Sequence, residues 1–210
     1  MMLSFLWAKL TGNETALERL SLPPKALMAD LKGRTIALIG NAKSLSHGHF
    51  GPQIDAADIV IRLNAAPMPS STSHGTKTDW IALSTPIPPD VLEARNPARI
   101  LWMTRKRKRL PYALAARPGF YLNRRSDVMA LRAKIDGPPT TGLMMIDLLS
   151  RSDAKKVTLY GFDFFASLSL SGSRTAAQVP HDFNAERSFV MALLARDPRF
   201  SLQNPSALAE

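Results

Sequence analysis

The residues of this chain best equipped for chemistry stand at the ends of apolar runs. Gly40-Asn41 closes the run Thr35-Ile-Ala-Leu-Ile39, and Asn64 closes Asp58-Ile-Val-Ile-Arg-Leu63. A glycine lets a ligand come close to the backbone, and an asparagine amide offers both a donor and an acceptor. Farther on, Thr140-Thr141-Gly142 follows two prolines and precedes Leu143-Met-Met-Ile-Asp-Leu-Leu149. That pattern reads two ways: hydroxyls and open backbone at a helix start, suited to an anion, or threonines that merely cap the helix. His181 and Glu186 are five apart, not the three or four that share a helical face, which places His181 just ahead of a helix over Arg187–Ala195. From there it can face a cleft, where an imidazole titrating near neutrality can take a proton from a hydroxyl. On spacing alone the better reading is a histidine at a helix start.

Such loops meet only if a sheet delivers them to one edge. Apolar runs at residues 35–39, 58–63, 78–83, 99–103, 120–122 and 156–160 alternate with helical stretches, the mark of an open, mostly parallel α/β sheet. The expectation is a single Rossmann-like domain over residues 33–210, its sheet flanked by helices, behind an N-terminal helical extension over residues 1–32 broken at Pro23-Pro24. Ligands of such sheets sit at the carboxyl ends of the strands. Phe162 and Asp163, after Gly161, emerge at the same edge as Asn41 and Asn64. Asn41 to Phe50 reads as the start of a short helix, Pro67 to Gly75 as a loop, and a helix is expected from about Ser126. The serine- and alanine-rich stretch from Leu168 to Gln178, around Gly172, reads as a lid.

A formal charge of +10 over 210 residues favours an anionic partner without choosing among nucleic acid, lipid and phosphorylated substrate. Much of it sits in Arg105-Lys-Arg-Lys-Arg109, whose mutual repulsion predicts a solvated loop or helix end, either a plain charged surface or a docking site for acidic lipid headgroups or an anionic acceptor. Near the start, Leu3, Phe5, Leu6, Trp7 and Leu10 form an apolar stripe suited to core packing or an interfacial anchor. Aromatics do not interleave the basic run, and no nucleic-acid-binding pattern accompanies it, so no nucleic acid is expected. There is no cysteine, which excludes disulfides, zinc-thiolate sites and cysteine nucleophiles and suits a reducing cytoplasm. His47, His49 and His74 lack spaced carboxylate partners, so no metal site is assigned. Neither the dinucleotide fingerprint nor the phosphate-binding P-loop is present.

Assembled, these residues resemble the sialyltransferase family, glycosyltransferase family 29. The large sialyl motif is similar to Ile36 through Asp79, notably Ile39-Gly-Asn41, Ile54-Asp55, Asp58, Val60-Ile-Arg-Leu-Asn64, Ala66-Pro67 and Gly75 to Asp79. The small motif resembles Pro139-Thr-Thr-Gly142 through Tyr160-Gly-Phe162, and His181 with Glu186 resembles the very small motif. The resemblance implies a GT-A-like variant of the α/β fold and an inverting, metal-independent transfer of sialic acid, or a related keto sugar acid such as Kdo. The donor would be its CMP-activated form, CMP-sialic acid or CMP-Kdo, the acceptor a glycan or glycolipid hydroxyl, and no cofactor would be needed. By the same analogy Gly40, Asn41 and Asn64 hold the cytidine monophosphate portion, Thr140, Thr141 and Gly142 the ribose, phosphate or carboxylate, and His181 is the base. Glu186 is a structural support of its helix. Animal members carry cysteines where Ile36 and Ser152 stand, which suggests a bacterial, cytoplasmic protein, peripheral at the inner membrane face through Arg105, Lys106, Arg107, Lys108 and Arg109. The family's histidine- and tyrosine-containing motif has no counterpart between Phe162 and Pro180, and Arg174 or Thr141 is the stand-in for phosphate stabilisation. The alternatives are a catalytically impaired CMP-sugar-binding protein and a basic nucleic-acid-binding module.

Overall fold

The computed structural model describes residues 2–65, 67–164 and 181–203. Seven strands, β1 (Thr35–Ile39), β2 (Ile59–Leu63), β3 (Trp80–Leu83), β4 (Arg99–Trp102), β5 (Phe120–Leu122), β6 (Lys156–Tyr160) and β7 (Phe200–Gln203), make one sheet ordered β5-β4-β3-β2-β1-β6-β7. Each pairing in it is parallel. Three helices precede the sheet: α1 (Met2–Thr11), α2 (Glu14–Glu18) and α3 (Pro24–Leu31). The connections carry α4 (Gly51–Asp55), α5 (Ser71–His74), α6 (Pro89–Arg95), α7 (Tyr112–Ala115), α8 (Arg125–Lys134) and α9 (Thr141–Ser150), and α10 (Phe183–Arg196) leads into β7. Among the described residues no helix is long and apolar enough to cross a membrane.

Strands buried on both faces explain the continuous apolar runs in the sequence. One face of β1, Ile36 and Leu38, packs with Ile59, Ile61, Leu159 and the inner side of α9. Its other face, Ala37 and Ile39, packs with Val60, Tyr160, Leu45 and Phe50. The N-terminal helices share these cores. Leu27 and Leu31 of α3 lie in the first, while Phe5, Ala8 and Leu17 join Trp102 and Phe120 in another. Pro23-Pro24 restarts the chain there as expected, with Pro24 in the first turn of α3.

Local chemistry moved several boundaries. Lys43–His47 is a 3-10 turn rather than an α-helix. The Pro67–Gly75 loop contains α5, because the Ser70 side chain accepts from the Thr72 N–H at 3.2 Å and caps a short turn. α10 starts at Phe183, not Arg187, since the Asp182 carboxylate accepts from the N–H groups of Asn184 and Ala185 at 3.0 and 2.9 Å. The sequence reading had no counterpart for β7, whose Phe200-Ser-Leu-Gln203 lacks a β-branched run.

Most charged residues between Ile36 and Asp79 hold the backbone together. Asp55 accepts from the N–H groups of Thr76 and Lys77 at 2.9 Å, Asp58 from the Thr35 N–H at 2.8 Å, and Asp79 from the Val60 N–H at 2.7 Å. Arg62, in the middle of the sheet, is fully buried and donates to the carbonyls of His74 and Lys77, each at 2.8 Å. Burial above all, with Arg95 adding repulsion and Asp55 opposing, pushes its guanidinium down to about 10. It is still charged near neutral pH, a cation spent on tying β2 to the loop ahead of β3. Arg62→Leu leaves those two carbonyls without their donor, and unfolding free energy should fall by about 2 kcal/mol or more. A denaturation midpoint equal to that of the unaltered chain would contradict this role.

Candidate active site

The order of the sheet decides where a ligand can enter. From β1 the chain steps outward to β5, then returns to add β6 on the other side of β1. Connections therefore diverge at the carboxyl ends of β1 and β6, the place where open α/β sheets open a crevice. There the two strand ends touch. The Gly40 N–H donates to the Tyr160 carbonyl at 2.7 Å, and the Ala42 N–H donates to that of Gly161 at 3.2 Å. A Cβ on Gly40 would stand 2.2 Å from the Gly161 carbonyl oxygen, so no other residue fits without prying β1 from β6.

A cleft of about 260 Å³ opens beside this contact. Gly40, Asn41, Asn64, Thr140, Thr141, Gly142, His181 and Glu186 all line it, together with an apolar floor that includes Leu143, Ile146 and Val190. Asn41 has a buried side-chain oxygen with no hydrogen-bond partner among the described residues. Asn64 sits in the left-handed region, φ 53°, and its side-chain oxygen accepts from the Ser84 N–H at 3.2 Å. Ser84 in turn accepts a hydrogen bond from the Thr141 hydroxyl at 2.7 Å. A chain of polar contacts thus runs from the end of β2, across the end of β3, to the start of α9.

At α9 both readings of the threonines are present, divided between two residues. Thr140 is the cap: its hydroxyl accepts from the Leu143 N–H at 3.1 Å. Its own donors are taken, the N–H and hydroxyl each bonding a different oxygen of the Glu186 carboxylate at 2.7 Å. Thr141 and Gly142 have no acceptor for their N–H groups among the described residues, and these lie at the positive end of a 10-residue helix. No Lys or Arg of the described residues lines the cleft, so backbone donors and the helix dipole are what it offers an anion. A Cβ on Gly142 would meet the edge of the Phe162 ring at 2.8 Å, so a larger residue there would push that ring aside.

His181 precedes α10, and its Nδ1 lies 2.7 Å from the Pro138 carbonyl oxygen. A carbonyl can only accept, so Nδ1 carries the hydrogen, and in the neutral ring Nε2 keeps a lone pair. Glu186, in the first turn of α10, is 4% exposed. Burial pushes its carboxyl up to about 7; the Thr140 hydrogen bonds pull the other way, and Asp182 adds to the rise. The Glu186 carboxylate bonds the cap of α9 rather than a group of its own helix.

Residues 2–88 match the family model described as glycosyltransferase family 29, sialyltransferase. That stretch, 87 of the 210 residues, is similar to the sialyltransferases of that family. The match includes Gly40, Asn41 and Asn64 and ends before Thr140 to Gly142, His181 and Glu186. Solved sialyltransferases share the fold of this chain. A mammalian sialyltransferase in complex with Gal-beta-1-3GalNAc-ortho-nitrophenol aligns at 18% identity and TM-score 0.66 over 90% of this chain and 76% of its own. CstII from Campylobacter jejuni in complex with the substrate analogue CMP-3FNeuAc aligns at 14% identity and TM-score 0.57 over 82% of each chain. CstII with trisaccharide acceptor and CMP aligns at 14% identity and TM-score 0.54 over 81% of each. No curated protein sequence matches the chain.

Two participants escaped the sequence. Ser84 follows an apolar run as Asn64 does, a signal that was there to be used, but the Pro138 carbonyl has no side-chain signature at all. The basic run also differs from its expectation. Arg105, Lys106, Lys108 and Arg109 are exposed, but Arg107 is buried, paired with Glu14 and donating to the Thr104 carbonyl at 2.7 Å. The Leu168–Gln178 lid and Arg174 lie outside the described residues.

A carboxyl raised from 4.5 to about 7 means that the folded chain holds a proton which the unfolded chain has released between those values. Its contribution is complete below about pH 4.5 and is lost as pH rises through about 7. Melting temperature should therefore decline across that window. In Glu186→Gln, whose amide can still accept from the Thr140 N–H and donate to its hydroxyl, the decline attributable to this residue should vanish. Parallel melting curves for the two proteins across the window would refute it.

Proposed function

We propose that the chain is an inverting, metal-independent glycosyltransferase that moves sialic acid, or a related keto sugar acid such as Kdo, from its CMP-activated donor to an acceptor hydroxyl. The observation carrying this reading is the hydrogen bond from His181 Nδ1 to the Pro138 carbonyl, which leaves Nε2 as a base in the cleft. An acceptor hydroxyl attacks the anomeric carbon on the face opposite the phosphate. As the new C–O bond forms, its proton passes to Nε2, and the electron pair of the breaking C–O bond leaves with CMP. Asn41, whose side-chain oxygen is unmatched, and Asn64 hold the nucleotide beside Gly40. With both donors of Thr140 committed to Glu186, the N–H groups of Thr141 and Gly142 meet the phosphate or carboxylate.

CMP and CMP-3FNeuAc in the solved relatives support the donor class, and the trisaccharide supports a glycan acceptor. An entirely cysteine-free chain fits work in the cytoplasm. A second reading, a CMP-sugar-binding protein with impaired turnover, draws on the absence of Lys and Arg from the described cleft lining.

CMP should raise the melting temperature more than UDP, GDP or NAD, because a ligand of the native state adds stability. His181→Ala should keep that CMP shift while transfer from CMP-sialic acid falls by about 10²–10⁴-fold, the span of a general base. Equal turnover in the variant would remove His181 from the chemistry, and CMP binding without transfer in the unaltered chain would favour the second reading.

A further inference from the structure

Five of the large apolar side chains exposed on this protein lie on α1: Met2 at 54%, Leu3 at 79%, Leu6 at 48%, Trp7 at 58% and Leu10 at 84%. At about 100° per residue they occupy one arc of roughly 140°. Phe5 and Ala8 point the other way and are buried. The stripe seen in the sequence therefore splits, Phe5 serving the core while the other residues face outward. A soluble surface rarely gathers such side chains in one place without a partner.

What lies beside this face says which partner. A groove of about 540 Å³ next to α1 is bordered by Lys9, Leu10 and the run Arg105 to Arg109, with Arg125. Glu14 is the acid in that lining, and it is paired with Arg107. The exposed cations Arg105, Lys106, Lys108 and Arg109 are thus left without an acid in the groove. Helix and run are fixed to each other, since Lys9 Nζ donates to the Leu110 carbonyl at 2.6 Å and Arg107 is locked onto α2. An apolar face that includes a tryptophan, rimmed by unmatched cations on a rigid base, matches a surface that is apolar within and anionic at its boundary. That is a bilayer with acidic headgroups.

We propose that α1 and the Arg105–Arg109 run form a docking face for an anionic lipid bilayer, with Leu3, Leu6, Trp7 and Leu10 entering the acyl boundary and the four exposed cations meeting phosphate headgroups. The basic run follows β4, so it emerges at the same sheet edge as the cleft after β1 and β6. Three strand spacings separate β4 from β1, about 14 Å. Docking would hold the cleft beside the membrane surface, within reach of a headgroup-borne acceptor. The docking claim itself needs no donor and stands apart from the reaction proposed above.

The full chain should co-sediment with phosphatidylglycerol–phosphatidylcholine vesicles at least 10-fold more strongly than with pure phosphatidylcholine, and added salt should weaken this binding. Trp80 and Trp102 are 4% and 0% exposed, so a blue shift of tryptophan emission on adding vesicles would report Trp7. The triple variant Leu6→Ser, Trp7→Ser, Leu10→Ser and the quadruple variant Arg105→Gln, Lys106→Gln, Lys108→Gln, Arg109→Gln should each lose at least 10-fold in vesicle binding, with an unchanged circular-dichroism spectrum and cooperative melting as evidence of an intact fold. Three results overturn the proposal: equal binding to neutral and anionic vesicles, sedimentation without a spectral shift, or concentration-dependent dimerisation that the triple variant abolishes while vesicle binding is absent. Binding of single-stranded RNA that depends on the cations and ignores the apolar triple variant, without vesicle binding, would assign the run to nucleic acid instead.

Discussion

The buried Glu186 carboxylate is the contact on which the cleft depends. Its two oxygens take the N–H and the hydroxyl of Thr140, so the start of α10 is bolted to the start of α9. Pro138, two residues before Thr140, receives the ring hydrogen of His181, five residues before Glu186. Three bonds between one loop and two residues at one helix start thus fix the orientation of the imidazole and, at the same time, the direction of the α9 dipole. A loop containing two prolines suits the task, because its carbonyls cannot be drawn into a preceding helix. The open N–H groups at the start of α9 and the His181 ring are held relative to each other by this one loop–helix contact.

A division of labour runs through Ile36 to Asp79. Gly40, Asn41 and Asn64 reach the cleft, while Asp55, Asp58, Arg62 and Asp79 bond backbone groups of their own stretch. Strand-end loops can hold ligand groups only if the strands keep their register, and charged side chains bonded to backbone groups across the stretch resist sliding because each shift would break those bonds. A long motif for a small contact surface follows from that. The positive φ of Asn64 belongs to the same economy: the left-handed turn puts its amide over the edge of the sheet, and the Ser84 N–H accounts for the residue's own oxygen.

Much of this was legible from residue order. Short apolar runs ending in Gly or Asn marked β1, β2 and β6 because strands buried on both faces leave no alternation to confuse with a helix. The eight residues singled out for chemistry all reach one cleft because a parallel sheet puts every strand's carboxyl end on the same side. Less was legible where side chains choose partners across long distances. Arg107 looked like one more repelled cation, yet Glu14, far away in the chain, supplies a partner that pulls it inward. Thr140 and Thr141 looked interchangeable, and their separate duties depend on Glu186 and Ser84, which no local pattern connects to them. Helix starts at Ser70 and Asp182 were readable as capping chemistry, but weak helical periodicity after them masked it.

The position of β1 at the centre of the sheet also bears on how the molecule comes into being. β1 pairs with β2 almost at once, but its other edge waits for β6, whose Tyr160 is aligned with Ile39 from about 120 residues later in the chain. At about 5–20 residues per second, synthesis leaves that edge open for roughly 6–24 s. During that interval Ile36 and Leu38 border an unpaired strand, a template for pairing with another chain. Nascent protein is thus most prone to aggregation before its final third emerges. The Gly40–Gly161 contact that founds the cleft is among the last to form, so any ligand of the cleft can capture only molecules whose sheet is already closed.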